Sequence, residues 1–256
     1  MTSGRLASVA AAVALGLSLG EPAQAAEGAW APIERDWSFD GLFGSFDRAA
    51  AQRGLQVYRE VCSTCHSLDY IAFRNLVDLG FSEDQVRSLA AEYQVTDGPD
   101  DTGEMVERPA TPADRFPPPF PNEEAARAAN GGALPPDLSL ITKARADGSD
   151  YLYSLLVGYQ DPPADVEAPE GMFYNLYFPG NWIAMPPPLA PDLVQYADGT
   201  SATVEQMAAD VTVFLTWAAE PTLESRKQTG LKVMLFLIVL TGLLFASKRK
   251  IWAEVH

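Results

Sequence analysis

Cys62-Ser63-Thr64-Cys65-His66 holds both cysteines of the 256-residue sequence and one of its two histidines, the other being His256. Two thiols three residues apart lie on one face of a helical turn. From there they reach the two vinyl groups of one heme, and the histidine that follows turns inward beneath the iron as proximal ligand. The stretch therefore predicts one heme c, covalently bound through Cys62 and Cys65. Other chemistries suit it less well. Structural zinc takes four ligands; three stand here, and His256 lies beyond an apolar segment. A thioredoxin-like Cys-x-x-Cys is expected near a βαβ pattern, which this region lacks. A plain disulfide leaves His66 without a task.

The net charge of −16 argues against nucleic acid, whose phosphates the chain would repel, and makes a basic protein the natural partner. Residues 1–25 read as a secretory signal peptide. Arg5 supplies the positive start, Leu6 to Gly20 is rich in Ala, Val and Leu, and Ala23-Gln24-Ala25 is a small-x-small cleavage site. Export agrees with the cysteines, because bacteria attach heme covalently outside the cytoplasm. A second apolar segment, 230–247, spans about 27 Å as a helix, close to the thickness of a bilayer core. Lys232 lies one turn inside it and would snorkel outward. Lysines and arginines flank both ends equally, so the signal peptide decides orientation. Residues 26–229 are expected on the periplasmic side of the bacterial inner membrane, crossed once, with 248–256 as a cytoplasmic tail.

Between these segments helix signals dominate. Ala50, Gly54, Val57, Tyr58 and Val61 recur at helical spacing from Phe46 to Val61 and lead into the cysteines. Ser82-x-x-Gln85 is a capping box opening a helix to about Tyr93. Asn122 caps a short helix, Glu123 to Ala129, and a further helix runs from Asp150 to Val157 and stops at Gly158. Thr203-x-x-Gln206 opens the last, with the stripe Met207, Val211, Phe214, Leu215 and Ala218. Runs of two or three prolines at 117–119, 135–136, 162–163 and 186–188 forbid regular helix in the joining material. Thr96 to Glu107 and Asp161 to Glu170 hold five and four acids respectively and no base, and read as exposed loops. The expected fold is all-α, a heme domain with long proline-rich loops plus one C-terminal transmembrane helix.

An electron-transfer heme needs a second axial ligand, and methionine raises its potential relative to histidine. Of six methionines, Met1 belongs to the signal, Met234 to the apolar segment, Met207 to a core stripe, and Met105 sits among acids. Met172 and Met185 remain. Met185 is the better presented, because Pro186-Pro187-Pro188 holds its backbone extended.

The run from Arg53 to Leu76 resembles the cytochrome c1 family. So do Asn130-Gly131-Gly132-Ala133-Leu134-Pro135-Pro136-Asp137-Leu138-Ser139, Tyr177-Phe178-Pro179-Gly180, Ile183-Ala184-Met185-Pro186 and Trp217-Ala218-Ala219-Glu220-Pro221. The blocks keep the family's order across nearly the whole chain. The resemblance implies a cytochrome c-like heme domain, with Cys62 and Cys65 as thioether cysteines and His66 and Met185 as iron ligands. It also places Arg145 near a heme propionate and Pro136 in a turn lining the heme. Some bacterial relatives carry an extra cysteine pair that steadies the methionine region. This chain has none, so packing and proline stiffness must hold Met185.

The implied role is the membrane-anchored heme subunit of ubiquinol–cytochrome c reductase. It would pass single electrons from the Rieske iron–sulfur protein to a c-type cytochrome, beside a cytochrome b subunit, and be no enzyme by itself. The implied fold crosses the first and last helices of the domain, with Gly54 allowing close approach near Phe214 or Trp217. Rival readings are another membrane-anchored c-type cytochrome, a periplasmic thiol oxidoreductase and a purely structural anchor. They differ in co-purifying subunits, a titratable dithiol and redox silence.

Overall fold

The computed structural model describes residues 29–164 and 166–253; the expected signal peptide, Asp165 and His256 lie outside them. Asp47 starts the first helix, α1 (Arg48–Glu60), by accepting from the Ala49 and Ala50 N–H groups. Its buried residues Ala50, Ala51, Gly54, Leu55, Val57 and Tyr58 form one helical face. That face packs on α5 (Val204–Ala219), which Thr203 caps through the Gln206 N–H. Between them come α2 (Glu83–Ala90), α3 (Glu123–Ala129) and α4 (Gly148–Val157), and α4 also packs on α5. The Ser82–Gln85 capping box closes in both directions, and Asn122 caps α3.

The crossing of α1 and α5 depends on the missing side chain at Gly54. A Cβ there would stand 2.0 Å from the Asp210 carbonyl oxygen and 2.7 Å from the Phe214 Cβ. At the same crossing Arg53 clamps the carboxylate of Asp210, which is 1% exposed, with Nε and Nη2 each 2.9 Å from one oxygen. The hydrogen bonds to Asp210 raise the Arg53 pKa further, so the guanidinium stays charged. Aromatic rings extend the core outward from here: Tyr58 packs on Phe214 and Phe116, Phe116 on Phe73, and Phe214 on Trp217. Gly54→Ala is expected to cost about 3 kcal/mol through overpacking against backbone. Gly230→Ala, where a Cβ meets nothing within 4 Å, should be near neutral. Denaturant unfolding of the two variants tests the contrast.

The structure departs from the sequence reading in four places. Phe73–Leu79 is a 3-10 helix, with Phe73, Leu76 and Leu79 all buried. The capping-box helix ends at Ala90, because the Tyr93 carbonyl is taken by the Ala110 N–H and a hairpin follows. That hairpin pairs β1 (Gln94–Asp97) with β2 (Val106–Pro109) antiparallel, Gln94 opposite Pro109, so the first acidic stretch is a hairpin arm and tip rather than a free loop. The apolar segment is part of a longer helix, α6 (Leu223–Ile251), that starts seven residues earlier than 230. An 18-residue window of α6 has mean hydropathy 2.2, and none of it is buried against the body.

Candidate functional site

Helix α1 delivers the cysteine motif. After Val61 ends the helix, Cys62–Thr64 makes one tight turn, and the Cys65 and His66 N–H groups both donate to the Cys62 carbonyl, at 3.1 and 2.9 Å. Ser63 Oγ donates to the Arg59 carbonyl and Thr64 Oγ1 to the Val61 carbonyl, each at 2.8 Å. The turn thus satisfies its own polar groups and leaves both thiols free, unpaired with each other. Burial pushes the Cys62 thiol up to about 12. Burial thus disfavours Cys62 as the attacking thiolate.

His66 is oriented from across the chain. Its Nδ1 lies 2.7 Å from the Pro136 carbonyl oxygen. A carbonyl only accepts, so Nδ1 carries the proton and donates, and Nε2 keeps a lone pair free for a metal. Burial lowers the imidazole pKa, which favours the neutral, ligating form. The Pro136 carbonyl is itself fixed by a seam between residues 67–70 and 137–139. Asp137 Oδ2 accepts from Ser67 Oγ and the Asp69 N–H, and Asp137 Oδ1 from the Ser139 N–H, each at 2.8 Å. The Leu138 N–H donates to the Ser67 carbonyl at 2.9 Å, and Tyr58 Oη to the His66 carbonyl at 3.3 Å. Asp137 was not singled out from the sequence, although an Asp bonding the N–H two residues on is a turn signal.

Met185 sits just beyond the second strand of a two-residue ladder, β3 (Phe173–Tyr174) against β4 (Trp182–Ile183), with Phe173 opposite Ile183. Tyr159 Oη donates to the Met185 carbonyl at 3.1 Å. The strap is held from inside by Asn175, which is fully buried: its Nδ2 donates to the Leu155 carbonyl and its Oδ1 accepts from the Tyr177 N–H. Asn181, in the left-handed region at φ 63, donates from Nδ2 to the Asn175 carbonyl. Gly158 lets the strap lie close, since a Cβ there would meet a Tyr177 ring carbon at 2.4 Å. These contacts fix the backbone on both sides of the ladder that leads to Met185. Met172 precedes the same ladder, with its N–H donating to the Pro169 carbonyl, and no side-chain group among the described residues hydrogen-bonds its backbone.

Arg145 is exposed, and its guanidinium bonds only the neighbouring Ala144 carbonyl at 3.0 Å, with no ion pair among the described residues. Burial raises the Tyr151 phenol, and the Arg145 charge pulls against it. No hydrogen bond joins His66 directly to Met185 among the described residues. One segment links their surroundings, running from Pro136 past Arg145 and α4 to Tyr159.

Two free thiols on one turn, an imidazole with Nε2 available and an unpaired guanidinium fit a heme carrying propionates. This turn stands in a helix-dominated body that has, among the described residues, one apolar helix long enough to cross a membrane, and the combination suits a heme protein. The comparisons narrow the class. The model of the Cytochrome C1 family matches residues 37–255. Cytochrome c1 of Rhodospirillum rubrum is 52% identical over 255 residues, covering 93% of this chain and 94% of that protein. The Candida albicans cytochrome b-c1 complex catalytic subunit, mitochondrial, is 52% identical over 232 residues, covering 90% of this chain and 81% of the relative. The Bradyrhizobium diazoefficiens cytochrome b/c1 is 51% identical over 268 residues and 96% of this chain, but the match takes in 39% of that longer protein. The chain belongs to the cytochrome c1 family.

Proposed function

We propose that this chain is the membrane-anchored c-type cytochrome subunit of a ubiquinol–cytochrome c reductase, taking single electrons from a Rieske iron–sulfur protein and handing them to a c-type cytochrome. The observation that carries the reading is the His66 ring, held by the Pro136 carbonyl with its other nitrogen free, in a chain matched by its family from residue 37 to 255. The heme, bound through Cys62 and Cys65, supplies a one-electron store. The chain's own residues do the rest. His66 and Met185 would hold the iron, the Pro136 carbonyl raises the basicity of the imidazole, and Tyr159 fixes the backbone of the methionine. Arg145 pairs with a propionate. The subunit makes and breaks no substrate bond.

The sequence and α6 support a placement. Residues 1–25 direct export and are removed, 26–229 form the heme domain outside the inner membrane, 230–247 cross it, and 248–256 stay in the cytoplasm. In support, α6 is 29 residues long and the apolar window is wholly unburied by the body. A cytochrome b subunit and the iron–sulfur protein are the expected neighbours. The Candida albicans relative's name supports assembly in such a complex.

Acidic surface supplies the attraction for a basic acceptor. Hydrogen bonds from Arg108 and from the Thr102 hydroxyl lower the pKa values of Asp97 and Asp100, so both stay ionised. Arg108 sits one residue past the acidic stretch and binds Asp97 and Asp114, offsetting part of its charge. Asp101, Glu104 and Glu107 are exposed and form no ion pair among the described residues. Amide variants of these three, and separately of Asp161, Asp165, Glu167 and Glu170, are measured against a basic cytochrome c at low ionic strength. At least one set should slow the second-order rate by more than about twofold; no change in either set contradicts steering. The role itself is tested by purifying the full chain from its membrane. Cytochrome b and an iron–sulfur protein should come with it, and a chain that is always purified alone contradicts the reading.

A further inference from the structure

The loop between Trp37 and Ser45 divides its apolar residues in two. Phe39, like Phe46 just after it, is 5% exposed, whereas Leu42 and Phe43 at the tip are 56% and 81% exposed. The loop is closed tightly. The Ser45 N–H donates to the Ser38 carbonyl and the Asp40 N–H to the Trp37 carbonyl, each at 2.9 Å. A Cβ on Gly44 would fall 1.9 Å from the Asp40 carbonyl oxygen. Phe39 and Phe46, three residues to either side, turn into the core, whereas the adjacent Leu-Phe pair is presented outward on the closed tip as an apolar contact surface.

The first turns of α6 hold this loop. Lys227 Nζ donates to the Phe39 and Gly44 carbonyls. Glu224 Oε1 accepts from the Phe46 N–H at 2.8 Å, and Glu224 Oε2 pairs with Arg48 at 2.9 Å. Between loop and helix lies a cavity of about 200 Å³, lined by Leu42, Phe43, Lys227, Gln228 and Leu231 among others.

The length of α6 fixes the height of this junction. From Lys232 to Lys248 is 16 residues, about 24 Å of helix and short of a hydrocarbon core about 30 Å thick. From Lys227 to Lys248 is 21 residues, about 32 Å. With Lys248-Arg249-Lys250 at the far headgroups, Lys227 lies at the near edge of the hydrocarbon, and so do the carbonyls it holds. Leu42 and Phe43 thus stand where Lys232 makes the helix's own apolar belt fall short.

We infer that Leu42 and Phe43 form a second membrane contact, seated at the headgroup–acyl boundary of the leaflet beside the heme domain, with phospholipid as the occupant. This rests on the reading that α6 crosses the bilayer. The loop's apolar tip extends the belt that Lys232 interrupts, which relieves the mismatch otherwise met by thinning or tilting. The consequence lies further up the chain. Two residues after Ser45, Asp47 caps α1, a helix of 13 residues or about 20 Å that ends just before Cys62. With the loop on the bilayer surface and α6 through it, the domain is held at two points, and α1 sets the motif's height and tilt above the membrane.

The test places a photoreactive residue in the full-length holo chain, Phe43→p-benzoylphenylalanine, a change at an exposed side chain that leaves the core intact. Parallel chains carry it at Phe236 in α6 and at Met105 on the hairpin, 64% and 60% exposed. Each chain, with the subunits that purify alongside it, is moved into nanodiscs of equal phosphatidylcholine and phosphatidylglycerol, irradiated, and its peptides are weighed for phospholipid adducts. The inference expects adducts at 43 and 236, each at least about fivefold above 105. Adducts at 236 with none above the 105 level at 43 overturn the inference and leave the anchor reading standing. Crosslinks from 43 to a protein subunit in place of lipid also overturn it. Absence of lipid adducts at both 43 and 236 overturns the anchor reading along with it.

Discussion

Met185→Leu will leave the heme attached and lower its reduction potential by on the order of 0.1 V or more, the scale on which axial ligands tune heme proteins. Tyr159 bonds the Met185 carbonyl, Asn175 and Asn181 cross-brace the ladder behind it, and three prolines forbid helix after it. Leucine is similar in volume to methionine, so the fold should survive a change that removes the thioether. The oxidised iron then loses a soft ligand that favours its reduced state. Met172→Leu is the control, because no side-chain hydrogen bond among the described residues fixes its backbone. Redox titration separates them. A large drop from Met172→Leu with none from Met185→Leu would reverse the assignment.

Cys62→Ala and Cys65→Ala should each abolish two-thioether attachment and reduce the amount of assembled protein. The cause is local: both thiols leave one turn whose N–H groups at 65 and 66 converge on the Cys62 carbonyl, so losing either thiol leaves a vinyl group without a partner. The effect should appear under denaturing conditions, where a noncovalent heme leaves the chain. A single variant whose denatured heme spectrum matches the wild type would contradict the attachment chemistry. His66 serves as an internal comparison, since its ring is held by Pro136 rather than by the cysteines, and the seam through Asp137 should persist in both variants.

What was legible in the sequence was what local chemistry specifies. The caps at Ser82, Asn122 and Thr203 depend on residues three apart, and each forms as read. The approach of Gly54 to Phe214 or Trp217 was expected only from the helix crossing that the family resemblance implies, and the structure places Asp210 and Phe214 at that contact. The strands were not readable. A two-residue ladder has no period, and the longer β1–β2 pair is secured by Arg108 reaching Asp97 and Asp114, a pattern that reads only as surface charge. The 3-10 helix at 73–79 repeats apolar residues every third position, between the two periods usually sought. The carbonyl that orients His66 lies 70 residues away and the hydroxyl on Met185 lies 26 away, and no spacing rule reports such pairs.

The most direct test of the central claim is the spectrum of the purified, denatured protein in alkaline pyridine, taken with the mass of the polypeptide. The account predicts the spectrum of a heme whose two vinyl groups are both saturated, and a chain heavier by one heme that stays attached through acid acetone extraction. A heme with one or both vinyls intact, or a chain at its bare polypeptide mass, would contradict it.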